Sequence, residues 1–138
     1  MEKRTLETAG LLVIKDNKLL LAYSKNKKAW YLPGGKIDQG EDTWMALQRE
    51  ILEELNVVLV PERITYYCHI TAPAYGEKDN IIMEQDCFLY ELKEDIQPNN
   101  EIDEVKYFDY NMYMAEEKQV IGVLKVMEQL TEDGILVK

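Results

Sequence analysis

Apolar and polar positions along the chain fall into short runs with two different periods. From Thr5 to Ile14, Leu6, Ala9, Leu11, Leu12, Val13 and Ile14 are apolar, which predicts a strand. Asp16-Asn17 is a turn signal and Lys18 to Tyr23 a second strand, so the two are expected to pair as a hairpin. Ser24 to Lys28 reads as a polar, basic loop, and Trp30-Tyr31-Leu32 as a short strand stopped by Pro33-Gly34-Gly35. Between Asp42 and Leu55 the period becomes helical, with Asp42 or Thr43 as N-cap and Asn56 as the left-handed residue that ends the helix. Further strands are expected at Ile64 to Ile70, Ile81 to Leu92 and Val105 to Asp109. Ala72 to Asn80 reads as a mobile loop, of a kind able to close over a substrate, with its role left open by the sequence. A last helix is expected from Ala115 to Leu130, with Val120, Val123, Leu124 and Met127 at helical spacing. Strands outnumber helices, and the helices interrupt the strand series. That predicts an α+β fold, a mixed sheet sandwiched between helices in an α/β/α arrangement.

Length and composition narrow the class. The 138 residues suit one domain spanning the chain, with 46% apolar and 30% charged residues as in ordinary globular proteins. The richest apolar run, Ala9 to Ile14, is far short of the roughly 20 residues of a membrane span. The charged start, Met1-Glu2-Lys3-Arg4, shows no secretory signal, so a cytoplasmic location is expected. A net charge of −10 argues against binding a nucleic-acid polymer. It leaves a single nucleotide open, because a divalent metal reverses the local field. Cys68 and Cys87 each sit in an apolar segment and form no zinc pattern, so buried free thiols are expected.

The helix from Asp42 to Leu55 carries the candidate chemistry. At about 100° per residue, Trp44, Leu47, Ile51 and Leu55 fall on one arc, the core face. Glu50, Glu53 and Glu54 fall on a neighbouring arc with Ala46 one turn earlier, where a small side chain leaves space. Like charges at this spacing cost about a few tenths of a kcal/mol per pair even when exposed. Something must compensate, and oxygen clusters of this kind suit hard divalent cations. The preceding Gly34-Gly35 lets bare backbone approach a ligand.

The spacing Gly35, five residues, Glu41, seven residues, Arg49-Glu50-Ile51-Leu52-Glu53-Glu54-Leu55-Asn56-Val57 closely resembles the box of the Nudix hydrolases. The departure is Asn56, where the family has glycine; Asn is the next-best residue for a left-handed helix end. Length and layout resemble the MutT-like branch. The resemblance implies a Nudix fold and a magnesium-dependent pyrophosphohydrolase, with manganese able to replace magnesium. It implies Glu50, Glu53, Glu54 and the Gly34 carbonyl as metal ligands, with Glu53 and Glu54 among the catalytic carboxylates. It implies that Glu41 and Arg49 brace the Gly35 loop against the helix.

Family members often carry an acidic ligand or base shortly before an aromatic strand. Here Glu101 and Glu104 precede Tyr107-Phe108, and Glu101 is the preferred catalytic candidate outside the box. Lys36, beside the glycine turn, is placed to meet phosphate. The best-known MutT-type enzymes, which clean oxidised purine nucleotides, have arginines at the end of the second strand. This chain has Tyr23-Ser24 followed by Lys25, Lys27 and Lys28, which argues against oxidised dGTP. Tyr23 and Lys25 are retained as substrate-binding candidates. Trp30, Tyr31, Tyr66, Tyr75 and Tyr113 are candidate stacking partners for a base, of which at most one or two are expected to serve, the rest filling core. His69, alone in an apolar strand, is expected to be packed or hydrogen-bonded rather than catalytic.

The expected substrate is therefore a nucleoside di- or triphosphate, and the expected assembly a monomer or homodimer. A hydrolase of ADP-ribose or a nucleotide sugar uses the same metals, but such enzymes usually carry a longer N-terminal dimerisation region. A non-catalytic nucleotide sensor is the rival of another class. Such modules often lose box glutamates, whereas Glu41, Glu50, Glu53 and Glu54 are all present here.

Overall fold

The computed structural model describes residues 4–74 and 80–137. In chain order the strands are β1 (Arg4–Leu12), β2 (Ile14–Lys15), β3 (Lys18–Ser24), β4 (Ala29–Tyr31) and β5 (Gly34–Lys36). Helix α1 (Thr43–Leu55) follows, then a 3-10 turn (Pro61–Arg63), β6 (Ile64–Pro73), β7 (Ile81–Tyr90) and β8 (Ile102–Phe108). Two helices close the chain, α2 (Tyr110–Met114) and α3 (Ile121–Glu132).

The strands make two sheets rather than one. The first is mixed, in the order β5-β1-β7-β6, with β1 parallel to β7 and the other pairs antiparallel. The second is centred on β3, which pairs with β8 along one edge and with β2 and β4 along the other. The expected hairpin is thus mostly overturned. The apolar run from Thr5 to Ile14 breaks at Val13, and β1 leaves for the first sheet. Only Ile14 and Lys15 pair back onto Leu19 and Lys18. Asp16 and Asn17 turn the corner with φ of 51° and 62°, the left-handed pair that a tight two-residue hairpin requires.

Side-chain alternation explains the layering. Ala9, Leu11 and Val13 of the first segment pack with Leu20, Leu47, Ile51 and Leu55 against α1. Leu12, Leu19 and Leu21 point the other way, into a core shared with Val123, Val126, Met127 and Leu130 of α3. The sheets therefore lie between α1 and α3, as the α/β/α expectation requires. Leu47, Ile51 and Leu55 are fully buried, each contributing about 1.5–3 kcal/mol relative to exposure.

Helix α1 has the expected ends. Asp42 Oδ1 accepts the Met45 N–H at 2.8 Å. Asn56 adopts φ 61° and donates its N–H to the Leu52 carbonyl. The expected last helix is shorter and starts later. Residues 115–120 leave the helical path because the buried Tyr113 hydroxyl accepts the Val120 N–H at 2.8 Å and donates to the Trp30 carbonyl. Pro33 does not end strand structure either, since Gly34–Lys36 pairs with β1 as an edge strand. Cys68 and Cys87 face each other across β6 and β7 as free thiols, Cys87 buried and Cys68 only half-buried. Of the expected loop, Ala72 and Pro73 extend β6; Tyr75 and residues 76–79 lie outside the described residues. No described helix is long and apolar enough to cross a membrane.

Candidate active site

Two glycines let α1 and β5 approach one another. Gly34 has φ 134°, and a Cβ there would lie 2.0 Å from the Ala9 carbonyl oxygen. A Cβ on Gly35 would lie 2.5 Å from the Glu50 carboxyl carbon. The glycines thus let the edge strand sit flush on β1 while the Glu50 carboxylate rests against its backbone. Gly34 also donates its N–H to Glu54 Oε1 at 3.0 Å.

Arg49 organises the rest of the helix face. Its guanidinium grips Glu41 through Nε and Nη2, at 2.8 and 2.9 Å. Nη2 also donates to the Lys36 carbonyl at 3.0 Å, and Glu41 accepts the Asp38 N–H at 2.9 Å. This two-pronged contact ties the loop after β5 to α1. Nη1 reaches Glu50 at 3.0 Å and, more weakly, Glu53 at 3.4 Å. The Arg49 hydrogen bond, helped by the Asp38 N–H, holds Glu41 below the ordinary carboxylate range.

The remaining carboxylates are in conflict. The Glu50 side chain is 16% exposed and Glu54 only 6%. Burial pushes Glu50 up, with Arg49 opposing. Burial also pushes Glu54 up, to about 8; the Gly34 N–H opposes this, and the charges of Glu50, Glu101 and Glu53 add to it. Glu53 is the outer member, with a side chain 48% exposed.

Glu101 comes from a distant segment that is stitched to the end of α1. The last carbonyls of a helix lack partners within it. Here Leu55 O accepts from Gln97 N, and Glu54 O accepts from Asn99 N, both at 2.9 Å. Glu53 O accepts from the Asn100 side chain at 3.0 Å. Asn100 takes the left-handed conformation, φ 54°, just before Glu101. Asn26 Nδ2 then donates to Glu101 Oε2 at 3.1 Å.

Glu50, Glu54 and Glu101 line a cavity of about 540 Å³ between the two sheets. That is ample for a mononucleotide. Gly34, Gly35, Lys36, Lys27 and Tyr31 also line it. Glu53 and the bracing pair Glu41 and Arg49 are not among the lining residues. Neither are Tyr23, whose ring packs edge-on against Trp30 at 5.2 Å, and Lys25, which is 3.9 Å from Asp103. Of the described aromatic candidates, Tyr31 lines the cavity. Trp30 and Tyr113 are core, and exposed Tyr66 packs on Phe88. His69 is hydrogen-bonded, to Asp86 at 2.8 Å and Glu84 at 2.7 Å, on an exposed face away from this cavity. Sequence reasoning missed Asn26 and Asn100, whose partners are remote in the chain. It also missed Gln85, although a polar residue alternating with Met83 and Cys87 on an inward strand face is a readable signal.

Comparison with known proteins agrees with this architecture. A family model described as the NUDIX domain matches residues 4–130. An RNA pyrophosphohydrolase of Rhodopseudomonas palustris (strain HaA2) is 38% identical over 52 residues, covering 38% of this chain and 31% of the relative. An RNA pyrophosphohydrolase of Sulfurovum sp. (strain NBC37-1) is 39% identical over 93 residues, covering 59% of this chain and 55% of the relative. The chain therefore spans between about a third and about half of these curated relatives. The crystal structure of a MutT NUDIX hydrolase from Burkholderia pseudomallei superposes with a TM-score of 0.76 at 21% identity, covering 94% of this chain and 100% of that one. The matched family model takes in both sheets, α1 with its glycine-rich approach, and most of α3, so the chain belongs to the NUDIX domain family.

Proposed function

We propose that this protein is a divalent-metal-dependent hydrolase that cleaves a phosphoanhydride bond of a nucleoside di- or triphosphate. One observation carries the reading: Glu50, Glu54 and Glu101 line one nucleotide-sized cavity together with Lys36, and the Glu54 carboxylate is buried there. The family membership and the names of the curated relatives support the same reaction class.

The donor set fits a hard cation such as magnesium or manganese. Glu50, Glu53 and Glu54 would supply carboxylate oxygens, and Gly34 a carbonyl. Among the described residues no three acidic or thiol or imidazole groups stand together as a finished cage. Glu50 and Glu53 are each within reach of Arg49, at 3.0 and 3.4 Å. When bound, the metal supplies charge neutralisation at phosphate oxygens and acidifies a water. The residues do the rest. Lys36 meets the phosphates from the β5 side, where it lines the cavity. Glu101, held by Asn26, takes the proton from the attacking water, with Glu53 and Glu54 as the other carboxylates able to do so. Arg49 keeps α1 and the loop after β5 in register while Glu53, its weakest partner, remains available. A net charge of −10 disfavours long nucleic acid and suits a mononucleotide.

The test is a panel of nucleotides and nucleotide sugars incubated with magnesium, with products identified by phosphorus NMR. The expected result is release of a nucleoside monophosphate or diphosphate, abolished by a chelator. Tight binding of one nucleotide with no turnover of any compound would replace this reading with that of a sensor.

A further inference from the structure

The inward face of β7 reads Met83, Gln85, Cys87, Leu89, so one amide interrupts an apolar row. Gln85 is only 8% exposed and lines the cavity. Among the described residues its carboxamide has a single weak partner, Cys87 Sγ at 3.9 Å from its oxygen. The amine end has none. None of the described buried side-chain nitrogen or oxygen atoms lacks a partner, so the Gln85 amine end is open to the cavity, where an acceptor on a ligand can meet it.

The surroundings hold this amide toward the cavity. Gly10 lies beneath it on β1, and a Cβ there would stand 3.1 Å from both Cδ and Nε2 of Gln85. Leu32 borders the same space, with Cδ1 3.3 Å from that position. Leu6 and Met83 add apolar wall. Gly10 pairs with Gly34, whose N–H holds Glu54, so the amide is one strand register away from the acidic end. A flat, mostly apolar group with one polar edge fits between such walls.

We infer that Gln85 is the specificity-determining residue for the organic part of the substrate, its carboxamide hydrogen-bonding the edge of a nucleobase seated between the sheets. This rests on the nucleotide hydrolase reading above. A carboxamide presents a donor and an acceptor side by side, and so complements a base edge bearing the opposite pair. A site built around such a bond discriminates strongly, because the wrong base leaves the buried amide unpaired.

The experiment measures kcat and KM for wild type, Gln85→Met and Gln85→Glu on the common nucleoside triphosphates and on methyl triphosphate, which carries no base. Gln85→Met should lower kcat/KM for the best nucleotide by about tenfold or more, chiefly through KM, and flatten the preference among bases. Its rate on methyl triphosphate should stay at the wild-type value. Gln85→Glu, which replaces the donor with an acceptor, should reorder the base preference. If Gln85→Met does not fold, Gly10→Ala serves in its place, because its Cβ displaces the amide without removing it. An equal loss on every substrate, methyl triphosphate included, would overturn the inference, and so would an unchanged ranking of bases. Failure of wild type to cleave any nucleotide would instead overturn the hydrolase reading itself.

Discussion

Two acid-rich clusters flank the mixed sheet, and they are built differently. On β6 and β7, Glu84 and Asp86 each contact one nitrogen of His69, whose side chain is 44% exposed. These partners satisfy one another, and water screens what remains. At the end of α1, Glu41 takes most of Arg49, Asp38, Glu50 and Glu53 share the rest, and Glu54 and Glu101 have no cationic partner among the described residues. Glu54 is nevertheless buried beside a cavity. Acidic residues alone are therefore uninformative. A buried carboxylate such as Glu54, without a cationic partner and facing a cavity, is what marks a site awaiting positive charge.

The contrast breaks most visibly on removing metal. Chelation should reduce nucleotide turnover to background and lower the melting temperature of wild type and of His69→Gln alike, because both keep the carboxylates at the end of α1, as checked by activity assay and calorimetry. Next in size, Glu53→Gln and Glu54→Gln should lower kcat by on the order of 10²–10⁴-fold. Both should fold, because a glutamine oxygen at position 54 can still accept the Gly34 N–H. Glu101→Gln should lower kcat by about ten- to a hundredfold, with KM for the nucleotide little changed. Arg49→Lys removes the fork that holds Glu41, and should cost about 1–2 kcal/mol in urea unfolding together with part of the activity.

The smallest effect belongs to His69. Its hydrogen bonds to Asp86 and Glu84 raise its pKa above the usual imidazole value. A raised folded-state pKa gives stability that is complete below the unfolded value, about 6.5, and is lost as pH rises through the folded value. His69→Gln should therefore lower Tm by about 1–3 °C at pH 5.5 and by less at pH 9, with turnover unaffected.

Much of the α1 region was legible because its signals are local. The Asp42 cap, the two helical arcs and Asn56 as terminator all lie within one helix, and the glycine spacing sits next to it. Features that depend on remote partners were not. The break at Val13 follows from β1 finding β5 and β7, and the late start of α3 from the Tyr113 hydroxyl capturing Val120. Gly34–Lys36 pairs because Gly34 fits against Ala9, which the Pro-Gly-Gly stop signal conceals. The nearness of Glu101 to the box depends on residues 97–100 capping α1, a contact no periodicity reveals.

Where a divalent ion settles is decided most directly by manganese binding, followed by electron paramagnetic resonance on wild type, Glu54→Gln and Glu84→Gln. Glu54→Gln should weaken manganese binding by about tenfold or more, while Glu84→Gln should bind as wild type does. Unchanged binding in Glu54→Gln with loss in Glu84→Gln would contradict the assignment of the metal to the end of α1.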